Sequence, residues 1–424
     1  MKKIVVVLAF IWSCFFYGQD RKYAMYILDT LCASSFDGRG YYDNGEKRAA
    51  DFIKGEFQKY GVKPISDTYL QYFNLPVNAI TGKPTVKIDG EILNPGEEYL
   101  IHPSSPGTNK ASKLFYLSKN QIVDVDEFTK VIPYFKNKYV VVDRSLLEGE
   151  SREVKYLGTE LISFLKYAPD IMLNGVIEVD DRLTYTASQR VALRPHIIVL
   201  KDDFKCRSKK AYLSFKNEFN PNYQSQNVIG FIEGEQKDNF IYVVGHYDHL
   251  GRMGDSVYFP GANDNASGIA MLLSLAKEFS GGKKPKKSIV FVCFGSEEIG
   301  LVGSKFYTEN PLLPIEDIDF LINLDILGTG DDGIQVVNGS VYQEEFNELV
   351  SLNEDKSLLK QIKIRGAACN SDHCFFSEKG VPSFFIYTLG GIAHYHNVYD
   401  KAETLPLTEF DDLFLLLKKF IEKR

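Results

Sequence analysis

The chain has 424 residues, of which 44% are hydrophobic and 25% are charged, and its formal net charge is −7. This length and composition are typical of a globular protein with room for two domains. The acidic balance argues against a nucleic-acid partner, because phosphate binding needs a basic surface and no basic stripe is visible.

Residues 1–19 are predicted to form a secretory signal peptide. Two lysines precede the apolar run IVVVLAFIW, and Gly18 and Gln19 follow at a plausible cleavage point. The run is too short for a typical membrane span. A retained membrane anchor and a lipid attachment at Cys14 are the less favoured alternatives. We therefore predict a secreted or periplasmic protein that has no stable membrane insertion after cleavage.

The next part of the chain divides into segments of different texture. Residues 20–84 carry helical patterns at 22–33 and 44–60 and are expected to be the N-terminal part of the domain that resumes at 226–424. Residues 85–225 contain short β-rich runs such as KYVVVD and HIIVL, which polar turns separate. This pattern predicts an inserted β-rich domain.

From residue 226 onward, predicted strands and helices alternate. The predicted strands are NVIGFI, FIYVVG, SIVFVCF, FLINLD and PSFFIY, and the predicted helices lie near 266–279, 300–309, 342–354 and 408–422. This alternation indicates an α/β fold, with a mostly parallel or mixed central sheet and helices on both faces.

Side chains of the types that bind metals follow these strands. The candidates are His246, Asp248 and His249 after FIYVVG, Asp264 in the next loop, Glu297 and Glu298 after SIVFVCF, Asp325 after FLINL, and His394 and His396 after PSFFIY. Each alone has a local explanation, such as a helix cap, a turn or a surface ion pair. Together they point to one site, because sites gather at the carboxyl ends of parallel strands.

Histidine and carboxylate ligands without thiolates suit zinc in a catalytic site. Two imidazoles and three carboxylates can hold two divalent ions if one carboxylate bridges them, and such a pair can clamp both the attacking water and the scissile carbonyl. The adjacent glutamates are then expected to divide the work, one as a metal ligand and the other as a proton carrier.

These motifs resemble those of the M28 family of zinc peptidases, which includes secreted bacterial aminopeptidases. The similarity is dense from about 226 to 405, in GHYDH, GANDNASG, GSEEIGLVGS, INLDILG, SDHCFF and YHNVYD, and weaker in SSFDGRG near the N-terminus. It implies a zinc exopeptidase-like fold. The predicted insertion lies where many members carry a protease-associated domain.

The resemblance also implies a role for each site residue and a cofactor of two Zn²⁺ ions per chain. The implied zinc ligands are His246 and Asp325 for one ion, Glu298 and His396 for the other, and Asp264 as the bridge between them. Glu297 corresponds to the general base, Asp248 to a carboxylate that orients a ligand histidine, and Tyr395 to a tyrosine that stabilises the oxyanion in some members. His249 and His394 are additional histidines next to expected ligands, and His396 is favoured as the ligand because Tyr395 and Asp400 accompany it.

The expected function is a secreted di-zinc exopeptidase that removes residues from the N-terminus of peptide substrates. One alternative is a glutaminyl cyclase-type acyltransferase with a single zinc, and another is a non-catalytic binding protein on a peptidase scaffold. Cys369 and Cys374 are close enough in sequence to form a local disulfide, although two free thiols are equally compatible with the pattern.

Overall fold

The structure is a computed structural model that describes residues 21–205 and 207–424, so the predicted signal peptide and Cys206 lie outside the described residues. Among the described residues, the α-helices are α1 (21–31), α2 (Gly45–Lys59), α3 (Lys119–Val123), α4 (Val125–Val131), α5 (Arg152–Tyr167), α6 (Ser267–Gly281), α7 (Val302–Glu309), α8 (Gln343–Glu354), α9 (Cys374–Glu378) and α10 (Phe410–Lys423). The strands are β1 (Leu70–Ile88), β2 (Glu91–Ile92), β3 (Tyr99–Ile101), β4 (Thr108–Tyr116), β5 (Lys138–Asp143), β6 (Gly175–Asp180), β7 (His196–Leu200), β8 (Lys210–Ile232), β9 (Gln236–His246), β10 (Arg252–Met253), β11 (Val257–Tyr258), β12 (Lys287–Phe294), β13 (Ile318–Leu324), β14 (Ile334–Val337), β15 (Ile362–Ile364) and β16 (Ser383–Thr388).

The second half of the chain builds a mixed sheet in the order β15-β14-β16-β13-β9-β12-β8. The centre of the sheet consists of four mutually parallel strands, β16, β13, β9 and β12. On either side, β14 pairs antiparallel with β16, and β8 pairs antiparallel with β12. The prediction of a mostly parallel or mixed central sheet is confirmed. All four parallel strands end at the same edge of the sheet.

Helices cover both faces of this sheet, as the sequence predicts. On β9, Ile241 and Val243 pack into a core with α2, α6 and α10, whereas Tyr242 and Val244 pack into a core with α7 and α9. Successive side chains of a strand point to opposite faces, so a strand covered on both sides needs an unbroken apolar run. This requirement explains the near-continuous apolar sequence of the central strands.

Helix α2 shows how the covering helices are specified. Its residues Ala49, Ile53 and Phe57 are buried against the sheet, and polar residues occupy the opposite side. They recur at helical spacing, which gives the helix one apolar stripe. Burying a side chain such as Phe57 contributes roughly 1.5–3 kcal/mol of stabilisation, so this stripe fixes α2 against the sheet.

Residues 89–209, here called the insert lobe, extend the same sheet in the order β4-β5-β6-β7-β3, with α3, α4 and α5 packed on one side. The sequence did not predict these three helices. The chain enters and leaves the lobe through β1 and β8, which pair antiparallel from Leu70 with Val228 to Ile88 with Ala211. The domain boundaries near 85 and 225 stay a prediction, because both fall within these continuous strands.

Candidate metal centre

The four parallel strands bring the predicted ligands to one edge of the sheet. His246 is the last residue of β9, Asp325 directly follows β13, and Glu297 and Glu298 follow β12 after a turn. Asp264 lies in the loop before α6. Each strand thus delivers its side chain to the same place because its neighbours are parallel.

Asn265 and Gly268 position Asp264 next to the end of β13. The amide of Asn265 donates to the carbonyl of Leu324, and its side-chain oxygen accepts from the backbone of Gly268 and Ile326. A Cβ at Gly268 would come within 2.4 Å of the Leu324 carbonyl oxygen, so only glycine permits this approach. The loop GANDNASG therefore connects α6 tightly to β13.

The carboxylate of Asp264 lies between the two histidines. Its Oδ1 is 3.3 Å from Nε2 of His246, and its Oδ2 is 3.1 Å from Nε2 of His396. Asp325 lies on the His246 side, with Oδ1 at 3.4 Å from Nε2, and Glu298 lies on the His396 side, with Oε2 at 3.0 Å from Nε2. The five residues form two groups of one histidine and one carboxylate that share Asp264.

These residues fit divalent cations. Asp264, Glu297, Glu298 and Asp325 place four carboxylates in a largely buried site with two histidines. Among the described residues, the buried Oδ1 of Asp325 has no hydrogen-bond partner. Burying carboxylates without compensating positive charge is strongly unfavourable. Cations held between the histidines and carboxylates would supply that compensation.

The two adjacent glutamates have opposite electrostatic environments. Burial raises the pKa of Glu297 well above its ordinary value. The charge of His246 opposes this rise, and the negative charge of Glu298 adds to it. Burial also opposes ionisation of Glu298, but His396 and His249 outweigh it and lower the pKa of Glu298 to about 2. Two carboxyl groups with separated pKa values are suited to different roles, one ionic and one carrying a proton.

Asp248 holds the turn that carries both glutamates. Its carboxylate is fully buried and accepts hydrogen bonds from the backbone N–H groups of Glu297, at 3.0 Å, and Glu298, at 3.2 Å. The hydroxyl of Tyr41 donates to the same carboxylate at 2.6 Å. Nδ1 of His246 lies nearer to the backbone carbonyl of Asp248, at 3.2 Å, than to its carboxylate, at 3.8 Å. Asp248 therefore orients His246 mainly through its main chain.

The remaining histidine candidates separate clearly. Nδ1 of His249 is 2.5 Å from Oε1 of Glu298, whereas the other carboxylate oxygen, Oε2, faces His396. This additional histidine therefore pairs with a predicted ligand. His394 is exposed and its ring lies 5.8 Å from that of Tyr399. The structure brings His396 into the site and leaves His394 outside it.

Tyr395 lies at the mouth of the site. Its side chain is 49% exposed, and its ring stacks on that of His396 with centroids 3.8 Å apart. Partial burial, followed by the charges of Asp264 and Glu298, raises the pKa of its hydroxyl. The phenol therefore stays protonated and able to donate a hydrogen bond.

Two carboxylates contribute more than the sequence analysis anticipated. Asp400 is buried and accepts from the backbone N–H groups of Asn263, at 2.9 Å, and Asp264, at 3.1 Å. Asp372, in the SDHCFF motif, is fully buried near the site, and burial raises its pKa to about 7. In the sequence, only their position within the motifs could have pointed to these two carboxylates, because the residues that they contact are distant along the chain.

Cys369 and Cys374 form a disulfide with their Cα atoms 4.7 Å apart, so the structure favours the local bridge over two free thiols. Cys32 and Cys293 are buried thiols.

The fold is shared with solved structures of zinc aminopeptidases. A zinc aminopeptidase from Bacillus subtilis superposes with a TM-score of 0.70 at 22% identity, covering 95% of this chain and 94% of that chain. A peptidase M28 precursor from Shewanella amazonensis superposes with a TM-score of 0.66 at 15% identity, covering 96% of each chain. At these identities the comparison shows the architecture, and the class that it defines is the zinc exopeptidase-like α/β fold.

Sequence comparison gives the family. Residues 227–421 match the model of peptidase family M28, and this part of the chain belongs to that family. Aminopeptidase YwaD of Bacillus subtilis is 28% identical over 202 residues, which are 45% of this chain and 41% of that protein. A probable zinc metalloprotease of Pyricularia oryzae is 37% identical over 114 residues, 25% of this chain and 22% of that protein. The chain therefore spans less than half the length of these relatives, and their names bear on its family rather than on its whole activity.

Proposed function

We propose that the protein is a di-zinc aminopeptidase that hydrolyses the N-terminal bond of peptides. The observation that carries the proposal is the shared carboxylate of Asp264, whose two oxygens face two separate histidine–carboxylate pairs. One zinc would be held by His246 and Asp325 and the other by His396 and Glu298, with Asp264 as a ligand of both.

The chemistry follows from the surroundings of the glutamates. Bound zinc would polarise the scissile carbonyl and lower the pKa of the attacking water. Glu297, beside the ligands, would take the proton of that water and pass it to the leaving amine. Tyr395 would donate its hydroxyl hydrogen bond to the oxygen on which negative charge develops.

The charges of the site support action at an N-terminus. Two zinc ions would leave the four carboxylates of the site close to neutral overall, so any further acidic group at its rim would favour a cationic α-amino group. A C-terminal carboxylate would instead need a nearby cation. Arg252 lies beside Asp37, at 3.4 Å, and Asp43, at 3.7 Å. Arg365 is exposed and donates to the hydroxyl of Tyr387. These two arginines are thus engaged elsewhere. Arg39, in the motif SSFDGRG, is buried and donates to backbone carbonyls, among them those of Tyr247 and Pro260.

The test is the ratio of kcat/KM for a leucyl or alanyl amide and its N-acetylated form, measured with added zinc and with a chelator. We expect cleavage of the free amide, little action on the acetylated form, and two zinc ions per chain. A ratio near one contradicts the aminopeptidase assignment. A single zinc with cyclisation of N-terminal glutamine identifies a glutaminyl cyclase, and peptide binding without turnover identifies a binding protein.

We also propose that the protein acts outside the cytoplasm, secreted or periplasmic. This proposal rests on the signal-peptide pattern of residues 1–19. Across the two described ranges, no helix is long and apolar enough to cross a membrane.

A further inference from the structure

One ligand histidine is oriented by the insert lobe. Nδ1 of His396 lies 3.1 Å from the backbone carbonyl of Tyr185, a residue 211 positions away, and the backbone N–H of Tyr185 donates to the carbonyl of His396 at 2.9 Å. A carbonyl oxygen can only accept, so Nδ1 must carry the proton in this pair. Nε2 is then free to bind a cation between Asp264 and Glu298.

The position of this carbonyl is fixed by packing. The side chain of Tyr185 is 3% exposed, and its ring stacks on Phe259 with centroids 4.3 Å apart and an interplanar angle of 7°. Its hydroxyl lies 3.4 Å from the carbonyl of Arg252. The aromatic stack therefore attaches the lobe to the loop that leads into the Asp264 segment.

A second contact from the same segment reaches the residue that follows Glu298, the ligand paired with His396. The side-chain amide of Gln189 donates to the carbonyl of Ile299 at 2.8 Å, and Ile299 directly follows Glu298. The carbonyl of Ser188 accepts from the backbone of Asn78 on β1 at 2.9 Å. Residues 185–189 thus touch both the His396 loop and the glutamate turn.

Among the described residues, the hydrogen bonds that orient His246 and Asp325 come from outside the lobe. His246 is oriented by the carbonyl of Asp248, two residues further along the chain. Asp325 accepts from the hydroxyl of Ser371, which lies in the second half of the chain. Partners of this kind orient ligand side chains, and removing one commonly lowers metal affinity by about 10–100-fold.

We propose that residues 185–189 of the insert lobe are positioning residues for the zinc ion held by Glu298 and His396, and that the ion held by His246 and Asp325 does not depend on them. The inference rests on the proposed di-zinc function. It predicts that a change in the lobe lowers the zinc affinity of one metal site and leaves the zinc affinity of the other site unaltered.

The experiment measures zinc retained per chain during dialysis against a series of buffered free-zinc concentrations, for the full chain and for variants. In Tyr185→Ala we expect one of the two ions to bind roughly 10–100-fold more weakly, so that its retention requires a correspondingly higher free-zinc concentration. The affinity for the other ion should not change. Tyr185→Phe keeps the ring and the stack and should behave as the unaltered protein. Arg190→Ala changes an exposed neighbour and is the control for the segment.

Gln189→Ala decides the matter if Tyr185→Ala does not fold, because it removes one hydrogen bond from a half-buried side chain. It should weaken the same single ion several-fold. Equal loss of both ions, or no change in either variant, overturns the proposal. An unaltered protein that binds only one zinc instead contradicts the di-zinc function itself, so the two failures are distinguishable.

Discussion

Replacing each of the adjacent glutamates by glutamine should produce two different defects. The substitutions Glu297→Gln and Glu298→Gln keep side-chain volume and remove one negative charge each. Asp248 holds both residues by their backbone N–H groups, and neither substitution alters those bonds. The turn should therefore keep its shape in both variants, which leaves the carboxylates as the only difference.

The structure sets the direction and size of each effect. The nearest oxygen of Glu297 is 4.0 Å from Nδ1 of His246, so this carboxyl is outside the paired ligands. Losing a general base costs about 10²–10⁴ in turnover, or roughly 3–5 kcal/mol of transition-state stabilisation. Carboxylate oxygens of Glu298 lie 2.5 Å from Nδ1 of His249 and 3.0 Å from Nε2 of His396. Loss of this carboxylate should lower the affinity for one zinc ion by more than the roughly 10–100-fold that follows loss of a residue that only orients a ligand.

The assay combines zinc content after gel filtration with kcat/KM on a leucyl amide. Glu297→Gln should retain close to two zinc ions and lose turnover, and excess zinc should not restore it. Glu298→Gln should lose one ion, and added zinc should recover part of its activity. If both variants lose metal to the same degree, the division of roles between the two glutamates is wrong.

The remaining predictions concern other parts of the chain. His396→Ala should release one zinc and abolish activity, whereas His394→Ala should leave zinc content unchanged; the reverse result would place the ligand two residues upstream. Burial lowers the pKa of Lys166 to about 8. The folded state therefore binds fewer protons than the unfolded state between about pH 8 and the ordinary value of 10.5. The free energy of unfolding, measured by denaturant titration, should rise over that pH interval, and the rise should be missing in Lys166→Met. The same pH dependence in both proteins would contradict this prediction. Trp12 is the single tryptophan of the chain. Extracellular protein should therefore show tyrosine fluorescence alone, and a tryptophan band would mean that the N-terminal segment is retained.

The second half of the fold was predictable because its signals are local. Apolar runs such as that of β12, Lys287–Phe294, match strands buried on both faces, and residues of metal-binding types follow soon after at the sheet edge. The parallel arrangement then brings His246, Asp325 and the glutamates together without further information. The short strands β14 and β15 were missed, because segments of three or four residues carry too little periodicity to detect.

The supporting contacts were not predictable, since they depend on tertiary packing. His249 looked like a surplus histidine until the structure placed it against Glu298. The carbonyl of Tyr185 leaves no trace in sequence, because any residue supplies a carbonyl and only the packed ring determines where it points. Helix α5 was missed because the β-rich runs on either side dominated the pattern of residues 85–225.

The insert lobe is connected to the rest of the chain at one end of the ladder between β1 and β8. Ile88 and Ala211 face each other across the two strands, so the chain leaves the ladder and returns to it at neighbouring positions. A two-residue turn can close such an antiparallel pair, which means that gain or loss of the lobe requires no rearrangement of the rest of the sheet. A shortened chain of this kind would keep every proposed zinc ligand and lose the carbonyl that orients His396. Ancestral or engineered forms without the lobe would then need a new partner for that imidazole, and the absence of one would restrict them to a single tightly held ion.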